Sequence, residues 1–100
     1  QRIPLLKTTE ILGKATTDAA SLIRNPANSG NEDGVHPTPN GYFRLADAIA
    51  KRIKAEQGKP KRILCIGDSI TFGAAVKGAG TAAPDAETYP GRLARELNAR

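Results

Sequence analysis

The chain has 100 residues, a formal net charge of +5 and 39% hydrophobic residues. This length suits one small domain or a piece of a larger one, and no apolar run approaches the roughly 20 residues that cross a bilayer. The single cysteine excludes an internal disulfide and a cysteine cluster for a metal ion.

The surplus of positive charge does not indicate a nucleic-acid partner. The densest group of cations covers the end of one predicted helix and the turn after it, where cations favour the helix C-terminus. The chain has only two tyrosines and two phenylalanines, too few for a base-stacking platform. The basic residues of this group are Lys51, Arg52, Lys54, Lys59, Lys61 and Arg62.

The N-terminal third predicts a short strand, a weak helix and a loop. Residues 3–6 are apolar and predict a strand or a strand end. Residues 10–12 and 18–24 predict helical turns interrupted at Gly13. Residues 25–31 are rich in turn formers and predict a loop that continues to Pro37.

A well-marked helix and a strand are predicted next. Thr38 is a suitable N-cap and Pro39 a suitable first helical residue. An apolar stripe over residues 42–54 then indicates a helix with one buried face. Gly58 and Pro60 would end this helix. The stripe consists of Leu45, Ala46, Ile49, Ala50 and Ile53. Residues 63–66 are apolar on both faces, which predicts a buried parallel strand with Cys65 packed inside it.

The C-terminal third predicts a loop and a second helix. Residues 73–87 are rich in glycine and alanine and predict a mobile loop. Thr88 is again a suitable N-cap, with Pro90 in the first turn, and a helical stripe follows. The stripe consists of Tyr89, Leu93 and Leu97. Helices that alternate with buried strands predict an α/β layer architecture.

Ser69 lies in the segment Gly-Asp-Ser-Ile-Thr-Phe-Gly, directly after the predicted buried strand. Open α/β sheets form their sites at the carboxyl ends of strands, so Ser69 is a candidate nucleophile. Gly67 allows a sharp turn, and backbone N–H groups after Ser69 can face an oxyanion. Asp68 is interpreted as a brace or cap of this loop. Because Thr71 stands where a second glycine would be, the segment is not the Gly-x-Ser-x-Gly elbow of α/β-hydrolases.

His36, the only histidine, lies in the segment Asp-Gly-Val-His-Pro. A serine hydroxyl needs a base to take its proton and a third group to orient that base. Histidine suits the role of base because it titrates near neutral pH. Asp33 lies three residues earlier, so a turn can bring its carboxylate to one ring nitrogen. Each segment alone is most often structural, whereas their joint occurrence is much more specific.

These two segments resemble the signatures of the GDSL/SGNH hydrolases, and the resemblance extends over about residues 3–54 and 62–97. It implies a serine hydrolase with Ser69 as nucleophile, His36 as base and Asp33 as the orienting acid. The Ser69 backbone N–H would be one oxyanion donor. The implied chemistry uses no metal and no organic cofactor.

The resemblance also implies a fold, a partial or circularly permuted flavodoxin-like three-layer α/β sandwich with a parallel sheet. Residues 1–54 resemble the C-terminal part of such a domain, residues 55–61 are a linker or turn, and residues 62–100 resemble its N-terminal part. The oxyanion loop would consist of Gly67, Asp68 and Ser69.

The order of the two segments is the reverse of the family's order, and two accounts stay open. In one, the chain spans the junction of tandem domains, and His36 and Ser69 serve different sites. In the other, the domain is circularly permuted and both residues share one site. A helix that runs about 20 Å away and a strand that returns about as far would permit the second account.

The family takes two further oxyanion donors from a glycine and an asparagine in central motifs, and neither motif occurs here. The asparagines outside a Gly-x-Asn-Asp context are Asn25, Asn28, Asn31, Asn40 and Asn98. Loss of one such donor lowers the rate roughly 10²–10³-fold. A catalytically inactive fragment or tandem junction is therefore the alternative to an active esterase.

The predicted activity is hydrolysis of carboxylic esters with small acyl groups, such as acetyl esters of carbohydrate-like substrates. The partner is then a small-molecule or carbohydrate ester, with no nucleic acid and no membrane span. Residues 73–87 would flank the acyl or alcohol pocket. The start at Gln1 and the lack of methionine predict a processed chain or an excerpt, and the bacterial cytoplasm and export both stay open.

Overall fold

The structure is a computed structural model that describes residues 5–57 and 62–98. Five α-helices follow one another over these residues. They are α1 (Thr8–Leu12), α2 (Pro26–Ser29), α3 (Pro39–Gln57), α4 (Ser69–Phe72) and α5 (Tyr89–Asn98). The β-type pairing in the described part of the chain is one isolated antiparallel bridge between Ile23 and Pro37.

The predicted parallel sheet is wrong, because residues 5–57 and 62–98 contain no sheet. Residues 62–67 are irregular, and the predicted buried strand is open to solvent, with Leu64 82% and Ile66 81% exposed. A parallel strand is stable when neighbouring strands pair with its backbone and helices cover both faces. The other predicted strand cannot supply that pairing, since Leu5 and Leu6 are irregular and Ile3 and Pro4 lie outside the described residues.

The two long helices begin as the sequence predicts. The Thr38 hydroxyl accepts the N–H of Gly41 at 3.1 Å, and Pro39 is the first residue of α3. The Thr88 hydroxyl accepts the N–H of Gly91 at 3.1 Å at the start of α5. Both N-cap predictions are therefore confirmed. The predicted end of α3 at Gly58 and Pro60 lies outside the described residues.

The core forms where α3 packs against α5. Its fully buried members are small residues of α3 and leucines of α5, a combination that lets the two helices approach closely. These residues are Ala46, Ala50, Leu93 and Leu97, with Ile49, Ile53, Cys65 and Tyr89 packed around them. Both predicted apolar stripes are thus confirmed as the contact faces, and the predicted burial of Cys65 is partial.

The shorter elements differ from the sequence prediction. The helix α1 ends at Gly13, as predicted, but residues 18–24 form no helix. The loop predicted over residues 25–31 contains the single helical turn α2. Residues 73–87 consist of turns and irregular backbone, as expected. None of the described helices is both long and apolar enough to cross a membrane.

Candidate active site

The loop that carries Asp33 and His36 folds on itself through an aspartate side chain. The Asp33 Oδ1 atom accepts the N–H of Val35 at 3.0 Å and the N–H of His36 at 2.9 Å. Gly34, between them, has a φ of 75°, a left-handed conformation that favours glycine. The turn places the carboxylate beside the imidazole, with Nδ1 of His36 3.0 Å from Oδ2 of Asp33.

A short antiparallel pairing holds this loop in place. The Arg24 N–H donates to the His36 carbonyl at 2.9 Å, and the Gly34 N–H donates to the Arg24 carbonyl at 3.0 Å. The Thr38 N–H donates to the Leu22 carbonyl at 2.9 Å. Residues 22–24 therefore hold the backbone of the loop that ends at the start of α3.

The side chains of two asparagines hold residues 22–24 in place. Asn25 caps α2, because its Oδ1 accepts the N–H of Asn28 at 3.0 Å while the Asn28 side chain accepts the N–H of Asn25 at 2.9 Å. The Asn25 Nδ2 also donates to the carbonyls of Thr16 and Asp18, both at 2.8 Å. The Asn28 Nδ2 donates to the Ile23 carbonyl at 3.0 Å. The capping box therefore stabilises residues 22–24 as well as α2.

Ser69 is the first residue of α4. Asp68 is its N-cap, and Oδ1 of Asp68 accepts the N–H of Ile70 at 3.0 Å, so the interpretation of Asp68 as a cap is confirmed. Gly67 is required for a different reason from the predicted turn, since a Cβ atom there would collide with the side chain of Thr71. The turn thus presents the Ser69 side chain at the exposed end of a short helix.

The structure brings Asp33, His36 and Ser69 together in one chain. The Nε2 atom of His36 lies 2.9 Å from Oγ of Ser69, while Nδ1 of the same ring faces the Asp33 carboxylate. An ionised carboxylate only accepts hydrogen bonds, so Nδ1–H donates to Asp33 and Nε2 is left to accept the serine proton. The arrangement has the geometry of a general base poised on a hydroxyl.

The packing of α3 on α5 explains why His36 and Ser69 lie close together. The His36 loop enters α3 through Thr38, whereas α4 is bound to α5 by a hydrogen bond of 2.9 Å between Oγ1 of Thr71 and the Tyr89 hydroxyl. Tyr42 of α3 is fully buried, and its hydroxyl donates to the carbonyl of Ala74 at 3.5 Å, just after α4. Each catalytic candidate is thus attached to one of the two core helices.

Hydrogen bonds and burial shift the ionisation of the groups around this site. The N–H of His36 is the largest influence on Asp33, and it lowers the pKa of that carboxyl below its usual value despite partial burial. Burial, reinforced by the Asp33 charge, raises the pKa of Tyr42 to about 12. Asp33 is therefore ionised and Tyr42 neutral near pH 7, as a base-orienting carboxylate requires.

Arg24 also contributes a charge beside the carboxylate. Its Nη1 lies 3.7 Å from Oδ2 of Asp33, and both side chains are largely buried, at 17% and 16% exposed. The guanidinium faces the same carboxylate oxygen, Oδ2, as Nδ1 of His36, which lies closer, at 3.0 Å. It can balance the carboxylate charge without blocking the ring.

A cavity of about 510 Å³ begins at Gly67 and Asp68, directly before Ser69. Its walls include Phe72, Thr81 and Pro90, and of these three Thr81 belongs to residues 73–87. Neither Ser69 nor His36 lines this cavity, and the serine–histidine pair faces solvent. Within residues 5–57 and 62–98, no group of three or more His, Cys, Asp and Glu side chains is placed to hold a metal ion.

The three central residues are predicted from the sequence, whereas the residues that support them are not. Arg24, Asn25 and Asn28 lie in segments that the sequence marks only as weak helix and loop. The signal was present in Asn25-Pro26-Ala27-Asn28, since an asparagine before proline, with a second asparagine three residues on, is a helix N-terminus with a reciprocal cap.

The chain was compared with family models, curated proteins and solved structures, and none of the three comparisons yields a match.

Proposed function

We propose that this chain is a serine hydrolase that cleaves carboxylic esters through an acyl-enzyme. The observation that carries the proposal is the pair of contacts of one imidazole, 2.9 Å from Ser69 Oγ and 3.0 Å from Asp33 Oδ2. Aspartate, histidine and serine in this order of contact form the arrangement that activates a serine hydroxyl. The same distances support the account in which His36 and Ser69 share one site.

The proposed reaction has two halves. Ser69 Oγ attacks the ester carbonyl carbon while Nε2 of His36 takes the hydroxyl proton, and the imidazolium then gives that proton to the leaving alkoxide. In the second half a water molecule attacks the acyl-serine, again with His36 as base, and releases the carboxylic acid. Asp33 holds the ring in the tautomer that both halves need.

The Ser69 backbone N–H is the oxyanion donor in the proposed mechanism. The Ser69 N–H makes no hydrogen bond to the described residues, so it is free to donate to an oxyanion. The N–H of Ile70 is occupied by Asp68. One donor in place of several lowers the rate by roughly 10²–10³ for each donor lost, so slow turnover is expected.

The substrate class that suits this site is a small acyl ester of a bulky, polar alcohol. Ser69 and His36 are open to solvent rather than enclosed, so a large alcohol such as a carbohydrate can approach the hydroxyl without entering a cavity. Acetyl esters of carbohydrate-like molecules therefore stay the proposed substrates.

The test is hydrolysis of p-nitrophenyl acetate by the parent chain, Ser69→Ala and His36→Ala. We expect slow hydrolysis that both substitutions reduce to the buffer rate, because nucleophile and base act as a unit. Thr9→Ala is the control, since Thr9 is an exposed hydroxyl residue of α1, outside the site. Circular dichroism of every variant tests whether the fold is retained.

The alternative, an inactive fragment, gives a different pattern in the same experiment. A parent chain without hydrolysis above the buffer rate contradicts the proposal and favours that alternative. Hydrolysis that survives in Ser69→Ala contradicts the mechanism even if activity exists. Reaction of Ser69 with a fluorophosphonate, located by mass spectrometry, reports nucleophile activation separately from turnover.

A further inference from the structure

Residues 62–67 have the side-chain composition of a β-strand, but no strand pairs with them in the described residues. None of their backbone N–H or C=O groups makes a hydrogen bond to the part of the chain that the structure describes. The backbone is irregular up to the extended residue Asp68, whose φ is −101° and ψ is −150°. An unpaired edge with apolar, β-branched side chains is a template for pairing with another strand.

The side chains of this segment divide by position. Leu64 and Ile66 are 82% and 81% exposed, and Arg62 and Asp68 at the same spacing are also exposed. Ile63 is 42% exposed and Cys65 partly buried, because these two face α5 and border the cavities beside it. The segment therefore has one face on its own core and one face in solvent.

We propose that this segment pairs with the same segment of a second copy of the chain, as an antiparallel two-stranded ribbon centred on Cys65. In this register Leu64 lies opposite Ile66 of the second copy, and Arg62 lies opposite Asp68. The solvent faces of both copies then fall on the same side, since directly opposed residues share a face. The inference is independent of the proposed hydrolase activity.

Charge and side-chain alternation select this register over the others. A shift by one residue sets Leu64 opposite Cys65 and turns the core face of one copy to the solvent side of the other. Parallel pairing sets Arg62 against Arg62 and Asp68 against Asp68, where like charges are destabilising. The register centred on Cys65 pairs each charge with its opposite and each exposed apolar side chain with another.

The ribbon predicts a weak dimer that dissociates on dilution, since two strands alone bury little surface. The first test is sedimentation velocity of the full chain over a wide concentration range. Leu64→Glu should abolish the dimer without unfolding the monomer, because Leu64 is exposed. Leu5→Glu is the matched control, an equally exposed leucine outside the segment, 76% exposed, and should leave the dimer intact.

The second test fixes the register by cysteine cross-linking under mild oxidation. The Cα separation of opposed residues in antiparallel strands falls within disulfide reach. In a Cys65→Ser background, a mixture of Leu64→Cys and Ile66→Cys chains should form a disulfide-linked heterodimer, whereas either chain alone should link much less.

The outcomes separate clearly. A chain that sediments as a monomer at every concentration overturns the proposal. A dimer that survives Leu64→Glu also overturns it, because such a dimer uses another surface. A Leu64→Cys chain that forms disulfide-linked dimers alone as readily as in the mixture overturns the register. Concentration-dependent dimers, sensitive to Leu64→Glu and linked between positions 64 and 66, support it.

Discussion

The backbone N–H of Arg24 donates to the backbone carbonyl of His36 at 2.9 Å, beside the isolated bridge between Ile23 and Pro37. The residue that we propose as the general base is thus held by main-chain hydrogen bonds to a segment 12 positions earlier. Main-chain pairing of this kind persists when side chains are changed, which makes the roles of individual side chains separable by mutation.

Asp33→Ala and Arg24→Ala should therefore affect hydrolysis very differently. Loss of Asp33 removes both the turn that orients His36 and the carboxylate on Nδ1, and we expect kcat/KM to fall by more than about 100-fold. Loss of the Arg24 side chain removes a long ion pair, at 3.7 Å, but keeps the contact between Asp33 and His36, so we expect the smaller loss of kcat/KM.

Initial rates with p-nitrophenyl acetate at matched folded fractions measure both effects. Equal losses in the two variants would mean that the Arg24 side chain, and not the backbone pairing, positions the loop. Arg24→Lys then tests whether charge alone is sufficient.

Asn25→Ala should strongly destabilise the fold. Asn25 is 5% exposed and its side chain caps α2 and donates to two carbonyls, both at 2.8 Å. A lost N-cap and two lost hydrogen bonds predict a decrease of about 2–4 kcal/mol in the free energy of unfolding. Asn31→Ala, the same change at an exposed loop position, should cost less than about 0.5 kcal/mol. Urea denaturation followed by circular dichroism compares them, and similar midpoints would contradict the anchoring role.

Thr88→Ala should destabilise the start of α5, and Thr88→Ser should not. Thr88 is fully buried, its hydroxyl accepts the N–H of Gly91 at 3.1 Å and donates to the carbonyl of Thr81 at 2.9 Å. Serine keeps both hydrogen bonds, whereas alanine leaves buried groups without partners, at a cost of about 1–3 kcal/mol. Thermal unfolding of both variants measures the difference. If serine is as unstable as alanine, the methyl packing and not the cap is decisive.

Tyr42 should make the fold sensitive to alkali. Burial raises the pKa of Tyr42 from an ordinary 10.0 to about 12. Because the folded chain then binds this proton more tightly than the unfolded chain, the contribution to stability is complete below pH 10. It is lost as the pH rises from 10 to 12. The free energy of unfolding in urea, measured at several pH values between 8 and 11.5, should fall more steeply in the parent than in Tyr42→Phe. Parallel curves for the two proteins would show that Tyr42 is not the group responsible.

Local signals predicted the two helices of the core well. Thr38 and Thr88 are helix caps whose effect depends on residues within one turn, and the periodic apolar stripes of α3 and α5 need only a partner face. The turn of Asp33 onto His36 is local as well, since it spans three residues. These features depend on short-range geometry and can therefore be predicted from the sequence.

The predicted sheet failed because strand pairing is not local. Residues 63–66 have the apolar character of a buried strand, but a strand is stabilised by the backbone of neighbours elsewhere in the chain. The described residues supply no such neighbour, and the apolar run is left exposed. The capping box of Asn25 and Asn28 is a local feature, but it was not predicted. The segment has the composition of a loop, and its helix is only one turn long.

The sequence by itself determined which residues have the chemistry for a serine-type site and which segments form α3 and α5. Side-chain ionisation, capping and helical periodicity are properties of a residue and its near neighbours. Only the tertiary structure decided that His36 and Ser69, 33 positions apart, lie within a hydrogen bond of each other. That distance depends on the packing of α3 against α5, because each helix positions one of the two residues, and such packing is a property of the whole chain.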